Sequence, residues 1–148
     1  EMPDAADGDL LAVERSWFRR YHDGDKWVLE PLDTGDRVAV GDQVEVLLSV
    51  TAAHSAEFIH LRDPRGAGFE PVSTESGYRW NQGLGYYEEI RDSGANYFFS
   101  RLPAGQYTLK YRLRAAMAGE FKVGPAVLQS MYAPEFVGYS AGRVAGVE

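Results

Sequence analysis

From Tyr107 to Ala115 the chain alternates without exception. Tyr107, Leu109, Tyr111, Leu113 and Ala115 fall in one phase, and Thr108, Lys110, Arg112 and Arg114 in the other. Strict period two marks a strand with one packed face and one wet face, because successive side chains leave the backbone on opposite sides. The strand is introduced by Leu102-Pro103-Ala104-Gly105, where proline at the second position and glycine at the fourth suit a type I turn. Ala118-Gly119 breaks the run and Phe121-Lys122-Val123 resumes it, which predicts a hairpin turning at the glycine.

Other segments repeat the pattern. Val44, Val46, Leu48 and Val50 alternate with Gln43, Glu45, Leu47 and Ser49, a second half-buried strand. Leu10 to Tyr21, with Trp17 and Phe18, and Lys26 to Leu29 flank His22-Asp23-Gly24-Asp25, so two paired strands account for them. Phe58 to Arg62 reads as a strand stopped by Asp63-Pro64, since proline cannot donate to a central ladder. Tyr86 to Arg91 and Ala95 to Leu102 flank a hairpin tip at Asp92-Ser93-Gly94. Pro71 to Gly85 is turn-forming and irregular, and the stretch from Val127 to Tyr132 leaves room for one short helical turn. Many short strands separated by glycine, proline and aspartate predict an all-β fold, an antiparallel β-sandwich.

At 148 residues the chain fits one domain and can bury roughly 70% of its unfolded surface. Residues 1–9, acidic and small, read as a tail or linker, with residues 10–148 as a single sandwich. There is no cysteine, hence no disulfide. Lys and Arg total 15 against 22 Asp and Glu, a net charge of -7, which argues against a broad nucleic-acid or anionic-membrane surface. The basic row Lys110, Arg112 and Arg114 is expected to be a solvated strand face. The longest uncharged stretch, Val123 to Pro134, falls well short of the roughly 20 apolar residues of a membrane helix. A start at Glu1 without a basic region or apolar core is expected of an excised domain or a mature piece.

The chain offers little for catalysis. It has no cysteine nucleophile, no Gly-x-Ser-x-Gly elbow and no phosphate-cradling glycine loop, so no enzymatic function and no cofactor is expected. His54, Glu57 and His60 do not make the close one-face set of a helical metal site, and a structural or surface role is expected. Asp4, Asp7, Gly8 and Asp9 lack the spacing of a calcium loop. Glu88 and Glu89 point to opposite faces of a strand and cannot act together as a glycosidase pair. Tyr78, Trp80, Tyr86 and Tyr87 can fill the core or form a platform that stacks on sugars. Met131 and Tyr132 suit an intramolecular interface, with core packing as the alternative. Gly124-Pro125 and Pro134 bracket their segment, so the chain is expected to run there over an edge of the sandwich.

One resemblance covers roughly Asp63 to the C-terminus. LPAGQYTLKYRLRAAMAGEF and PAVLQSMYAPEFVGYSAG, preceded by DPRGAGFEPV and YYEEIRDSGANYFF, resemble the C-terminal, tenth macroglobulin-like domain of bacterial alpha-2-macroglobulins. These are large periplasmic protease traps built from macroglobulin-like, immunoglobulin-like sandwiches. The resemblance implies a non-catalytic domain that packs against and shields a separate thioester domain until a protease cleaves the bait region. It implies that Met131, Tyr132, Pro134 and Glu135, matching the family's methionine-tyrosine-x-proline-glutamate segment, make that interdomain contact. Partners would be the thioester and neighbouring macroglobulin-like domains of the same parent, with target proteases met by the whole inhibitor. The location would be the periplasm, with room for a lipid anchor on the parent and no direct membrane contact. The thioester motif Cys-Leu-Glu-Gln is not in this chain. A carbohydrate-binding module using Trp80 with Tyr78, Tyr86 or Tyr87, and an adhesin-type spacer, are the alternatives.

Overall fold

The computed structural model describes residues 10–148, and every regular element in that range is a strand. In order these are β1 (Leu11–Asp23), β2 (Lys26–Leu32), β3 (Arg37–Val38), β4 (Gln43–Ala52), β5 (Ala56–Pro64), β6 (Phe69–Pro71) and β7 (Gly77–Asn81). Then come β8 (Leu84–Arg91), β9 (Gly94–Leu102), β10 (Gly105–Ala115), β11 (Gly119–Val123), β12 (Val127–Ser130), β13 (Val137–Tyr139) and β14 (Arg143–Val147). The expected tail over residues 1–9, with Asp4, Asp7 and Asp9, lies outside the described residues.

Two antiparallel sheets make the sandwich, one ordered β2-β1-β4-β10-β6 and the other β13-β12-β5-β9-β8-β7. A small third sheet, β11-β14-β3, includes the one parallel pair among the described strands, β14 with β3. The chain changes sheets at Pro103-Ala104, between β9 and β10, so the proline-glycine turn read from the sequence is a crossover between layers.

Period two decides which side chains meet in the middle. Val44, Val46, Leu48 and Val50 of β4 face the core beside Tyr107, Leu109, Tyr111 and Leu113 of β10, and all eight are buried. Ile59 and Leu61 of β5 and Ala95, Tyr97 and Phe99 of β9 answer from the opposite sheet. Trp17 and Phe69 meet edge to face at 5.1 Å, and Val38 and Ala145 of the small sheet belong to the same core. β-branched and aromatic side chains suit such surfaces because they fill the space between pleated layers.

Several expectations are corrected. β11 does not form a hairpin with β10, but pairs with β14. At its C-terminal end, where a returning strand would have to start pairing, β10 is occupied on both edges, by β4 along its length and by β6 at Leu113–Ala115. Val127 to Ser130 is strand rather than helix, paired on both sides by β5 and β13. The stretch from Pro71 to Gly85 holds β7, paired with β8. β5 extends two residues past Arg62 and stops at Pro64, in keeping with the expected proline stop, and the proline is tolerated there because the β12 ladder ends at Arg62.

Candidate interaction surface

Met131 to Glu135 occupies the turn of the β12–β13 hairpin, at the edge of the six-stranded sheet. The turn is held by its own hydrogen bonds. Ser130 N–H donates to the Phe136 carbonyl at 3.0 Å, Phe136 N–H to Ala133 at 2.9 Å, Ala133 N–H to Ser130 Oγ at 3.1 Å, and Gln129 Nε2 to Pro134 at 3.1 Å. So braced, it leaves Met131 53% and Tyr132 78% exposed, with Pro134, Glu135 and Phe136 also exposed. The ladder thus resumes just after Pro125, and the segment is the tip of an edge hairpin rather than a loop crossing the edge.

Beside it stands Phe58, whose φ of 55° is rare for a bulky side chain. Its carbonyl accepts from Met131 N–H at 2.9 Å, and its ring meets Tyr132 edge to face at 5.0 Å. The pairs Glu57 with Arg101 and Ile59 with Phe99 keep one register on either side of it. The left-handed residue therefore reorients one side chain without shifting the strand. A groove of about 280 Å³ on this side is lined by Leu10, Leu11, Ile59, Ser130, Ala133 and Phe136, among others.

Aromatic rings continue across the outer face of the same sheet. His60 stacks on Phe98 at 4.6 Å and 4°, and its Nε2 pairs with Asn96 Oδ1 at 2.9 Å. Tyr78 meets Tyr87 at 5.0 Å. Trp80 lies against Gly85, where an added Cβ would stand 3.0 Å from the indole and push the ring outward by a few tenths of an ångström. Tyr78 is 85% and Trp80 78% exposed, whereas Tyr86 turns inward to Tyr97 and Phe99. The four aromatics read together from the sequence are thus split between platform and core rim. His54 and Glu57 are exposed and separate from the stacked His60. Among the described residues no three His, Asp or Glu side chains gather as a metal would need. Arg79 Nε donates to Glu88 Oε1 at 3.1 Å and Arg91 Nη2 donates to Glu89 Oε2 at 2.8 Å, the two adjacent carboxylates lying on opposite faces of β8.

The outer face of the five-stranded sheet is charged instead. Lys110 and Arg112 are exposed and Arg114 is half-buried, yet the row is more than a solvated face. Arg112 Nε reaches the buried Glu45 at 3.0 Å, with Arg20 4.0 Å from the same oxygen.

One cluster was missed by sequence reasoning. Arg15 lies in the inward phase of β1, between Val13 and Trp17, and its Nη1 donates to Asp63 Oδ1 at 2.7 Å with both side chains 1% exposed. The Tyr111 hydroxyl donates to the other oxygen, Asp63 Oδ2. Burial pushes the Asp63 carboxyl above its ordinary pKa, against the opposing charge of Arg15 and the Tyr111 bond. Burial and then the Asp63 charge push the Tyr111 hydroxyl far up. The signal was a polar residue falling in an apolar phase, Arg15 after Leu11 and Val13, and Asp63 after Ile59 and Leu61.

Known proteins share this architecture. A crystal structure of Salmonella alpha-2-macroglobulin reacted with methylamine is 21% identical, with a TM-score of 0.71 over 93% of this chain and 9% of that one. Native Escherichia coli alpha-2-macroglobulin, spanning domain MG7 to the C-terminus, is 21% identical, with a TM-score of 0.72 over 94% of this chain and 23% of that one. At such identities the likeness is one of fold. Circularly permutated Ras protein 2 of Dictyostelium discoideum is 30% identical over 102 residues, 69% of this chain but 3% of that protein. The chain thus spans a small part of each. The profile of the Bacterial Alpha-2-macroglobulin MG10 domain matches residues 11–135, and this all-β sandwich belongs to that family.

Proposed function

We propose that the chain is the tenth, C-terminal macroglobulin-like domain of a bacterial alpha-2-macroglobulin-like protease inhibitor, a non-catalytic module of a periplasmic parent. It packs against the thioester domain in the uncleaved form and shields the thioester from water, through Met131, Tyr132, Pro134 and Glu135. The observation that carries this reading is the braced turn, which holds methionine and tyrosine out in solvent beside the strained Phe58. A small soluble sandwich gains nothing from such a feature alone, and a contiguous apolar patch marks an interface. Target proteases meet the whole inhibitor, and this domain moves away once the bait is cut.

The test is a thioester-bearing full-length parent carrying Met131→Ala with Tyr132→Ala. Methylamine uptake before bait cleavage should accelerate while the domain stays folded. An unchanged rate would remove the shielding role. A second reading, a carbohydrate-binding surface, is favoured by Trp80 and Tyr78 alone. They border a groove of about 500 Å³ with Tyr87, Phe98 and Ser100. Titration of neutral oligosaccharides against tryptophan fluorescence would test it, and a Trp80→Ala chain with an unchanged response would dismiss it.

A further inference from the structure

We infer that Arg15 is the positioning residue of the exposed turn: its guanidinium, held by Asp63, clamps both stems of the β12–β13 hairpin. Nη1, while paired with Asp63, also donates to the Gly124 carbonyl at 2.7 Å, and Nη2 donates to the Ala141 carbonyl at 3.1 Å. Gly124 lies just before β12 and Ala141 just after β13, so one side chain of β1 grips the entrance and the exit of the hairpin together. The stems also bind each other next to this grip. Ala126 N–H donates to Ser140 Oγ at 2.8 Å, and Ser140 N–H donates to the Ala126 carbonyl at 3.0 Å.

The choice of residue follows from the geometry. An ion pair between two sheets is an expensive way to fill a core, and apolar residues of similar volume commonly serve as well. What an apolar pair cannot do is donate in several directions at once. The guanidinium has five N–H donors in a planar fork, so it can meet a carboxylate and two carbonyls in fixed directions. Asp63 of β5 in turn accepts from Tyr111 on β10, so its carboxylate is held by two strands, β1 and β10, of the facing sheet. Tyr132 and Met131 are thereby tied to the core through their hairpin's base. That the turn makes an interdomain contact rests on the function proposed above, whereas the clamp concerns this chain alone.

Amide hydrogen exchange on the 148-residue chain tests it. Arg15→Lys keeps the charge and the reach to Asp63 but loses the fork, so it should speed exchange at Leu128, Met131 and Ser140 about tenfold, as expected for losing bonds to a charged donor. Amides of β4 and β10 should exchange as before. If Arg15→Lys does not fold, Asp63→Asn serves instead, since it keeps the shape but weakens the hold on the guanidinium. Equal acceleration in β4 and in the hairpin, or none in the hairpin, would overturn the clamp. In the parent, a loosened hairpin with unchanged methylamine uptake would uphold the clamp and refute the shielding.

Discussion

Gly138, midway along β13, passes so close to β1 that a Cβ there would stand 2.5 Å from the Leu11 carbonyl oxygen. The atom in the way is backbone, which cannot swing aside as a side chain would. Gly138→Ala must therefore push the edge hairpin off β1 or distort both strands. Overpacking of this kind costs about 1–3 kcal/mol. Urea unfolding should show the unfolding free energy falling by that amount, with a lower midpoint, and a midpoint equal to that of the unmodified chain would contradict the close approach.

Asp63 gives a pH dependence with a definite sign. Its folded pKa lies above the ordinary carboxyl value, so between the two values the folded chain holds more protons than the unfolded one. Stability from this group therefore falls as pH rises through that interval. Tyr111→Phe removes a bond that favours the carboxylate, which moves the folded pKa further up and widens the interval. The variant should lose about 1–3 kcal/mol near neutral pH. Its deficit against the unmodified chain should shrink as pH falls below the two folded pKa values, because the unfolded carboxyl is common to both chains and cancels. Unfolding curves giving one constant deficit across that range would refute this.

Leu109 has a simpler role. It is 2% exposed in the middle of β10, opposite Leu48 of β4. Leu109→Ala should cost about 2–5 kcal/mol, combining lost transfer energy with the cavity left behind. A loss well under about 1 kcal/mol would mean that the core closes over the gap.

The sequence made the strands of the two main sheets legible wherever one phase was apolar and the other polar. Tyr107 to Leu113 and Val44 to Val50 are buried as their alternation requires. Pairing was less legible, because alternation states which face is wet but not which neighbour is beside it. β11 pairs with β14, while the C-terminal end of β10 is taken on both sides by β4 and β6, a fact that no local pattern carries. The exposed turn was legible in part. Met131 and Tyr132 could be expected at an edge, but Phe58, more than 70 positions upstream, joins them only through the β5–β12 pairing. Arg15 was hidden by its charge, which reads as surface until Asp63 and Tyr111 close around it.

Phe58 and Ile59 are neighbours with opposite consequences. Ile59 is 1% exposed in the core, so Ile59→Ala should cost about 2–5 kcal/mol. Phe58 is 42% exposed and holds a left-handed backbone that costs an L side chain about 1–2 kcal/mol. Phe58→Gly relieves that strain. Against the gain stand the ring contact with Tyr132, about 0.5–1.5 kcal/mol, the burial of the covered part of the ring, about 1–2 kcal/mol, and the backbone entropy of glycine, about 0.5–1 kcal/mol. The losses outweigh the gain, so Phe58→Gly should cost about 1–2.5 kcal/mol, less than the removal of a fully buried phenylalanine. The ring thus keeps a strained backbone while leaving 42% of itself in solvent beside Tyr132. If the proposed interdomain role of Tyr132 holds, the same substitution in a full-length parent should speed methylamine uptake before bait cleavage. A large loss of stability from Phe58→Gly in the isolated chain would instead make Phe58 part of the core's support.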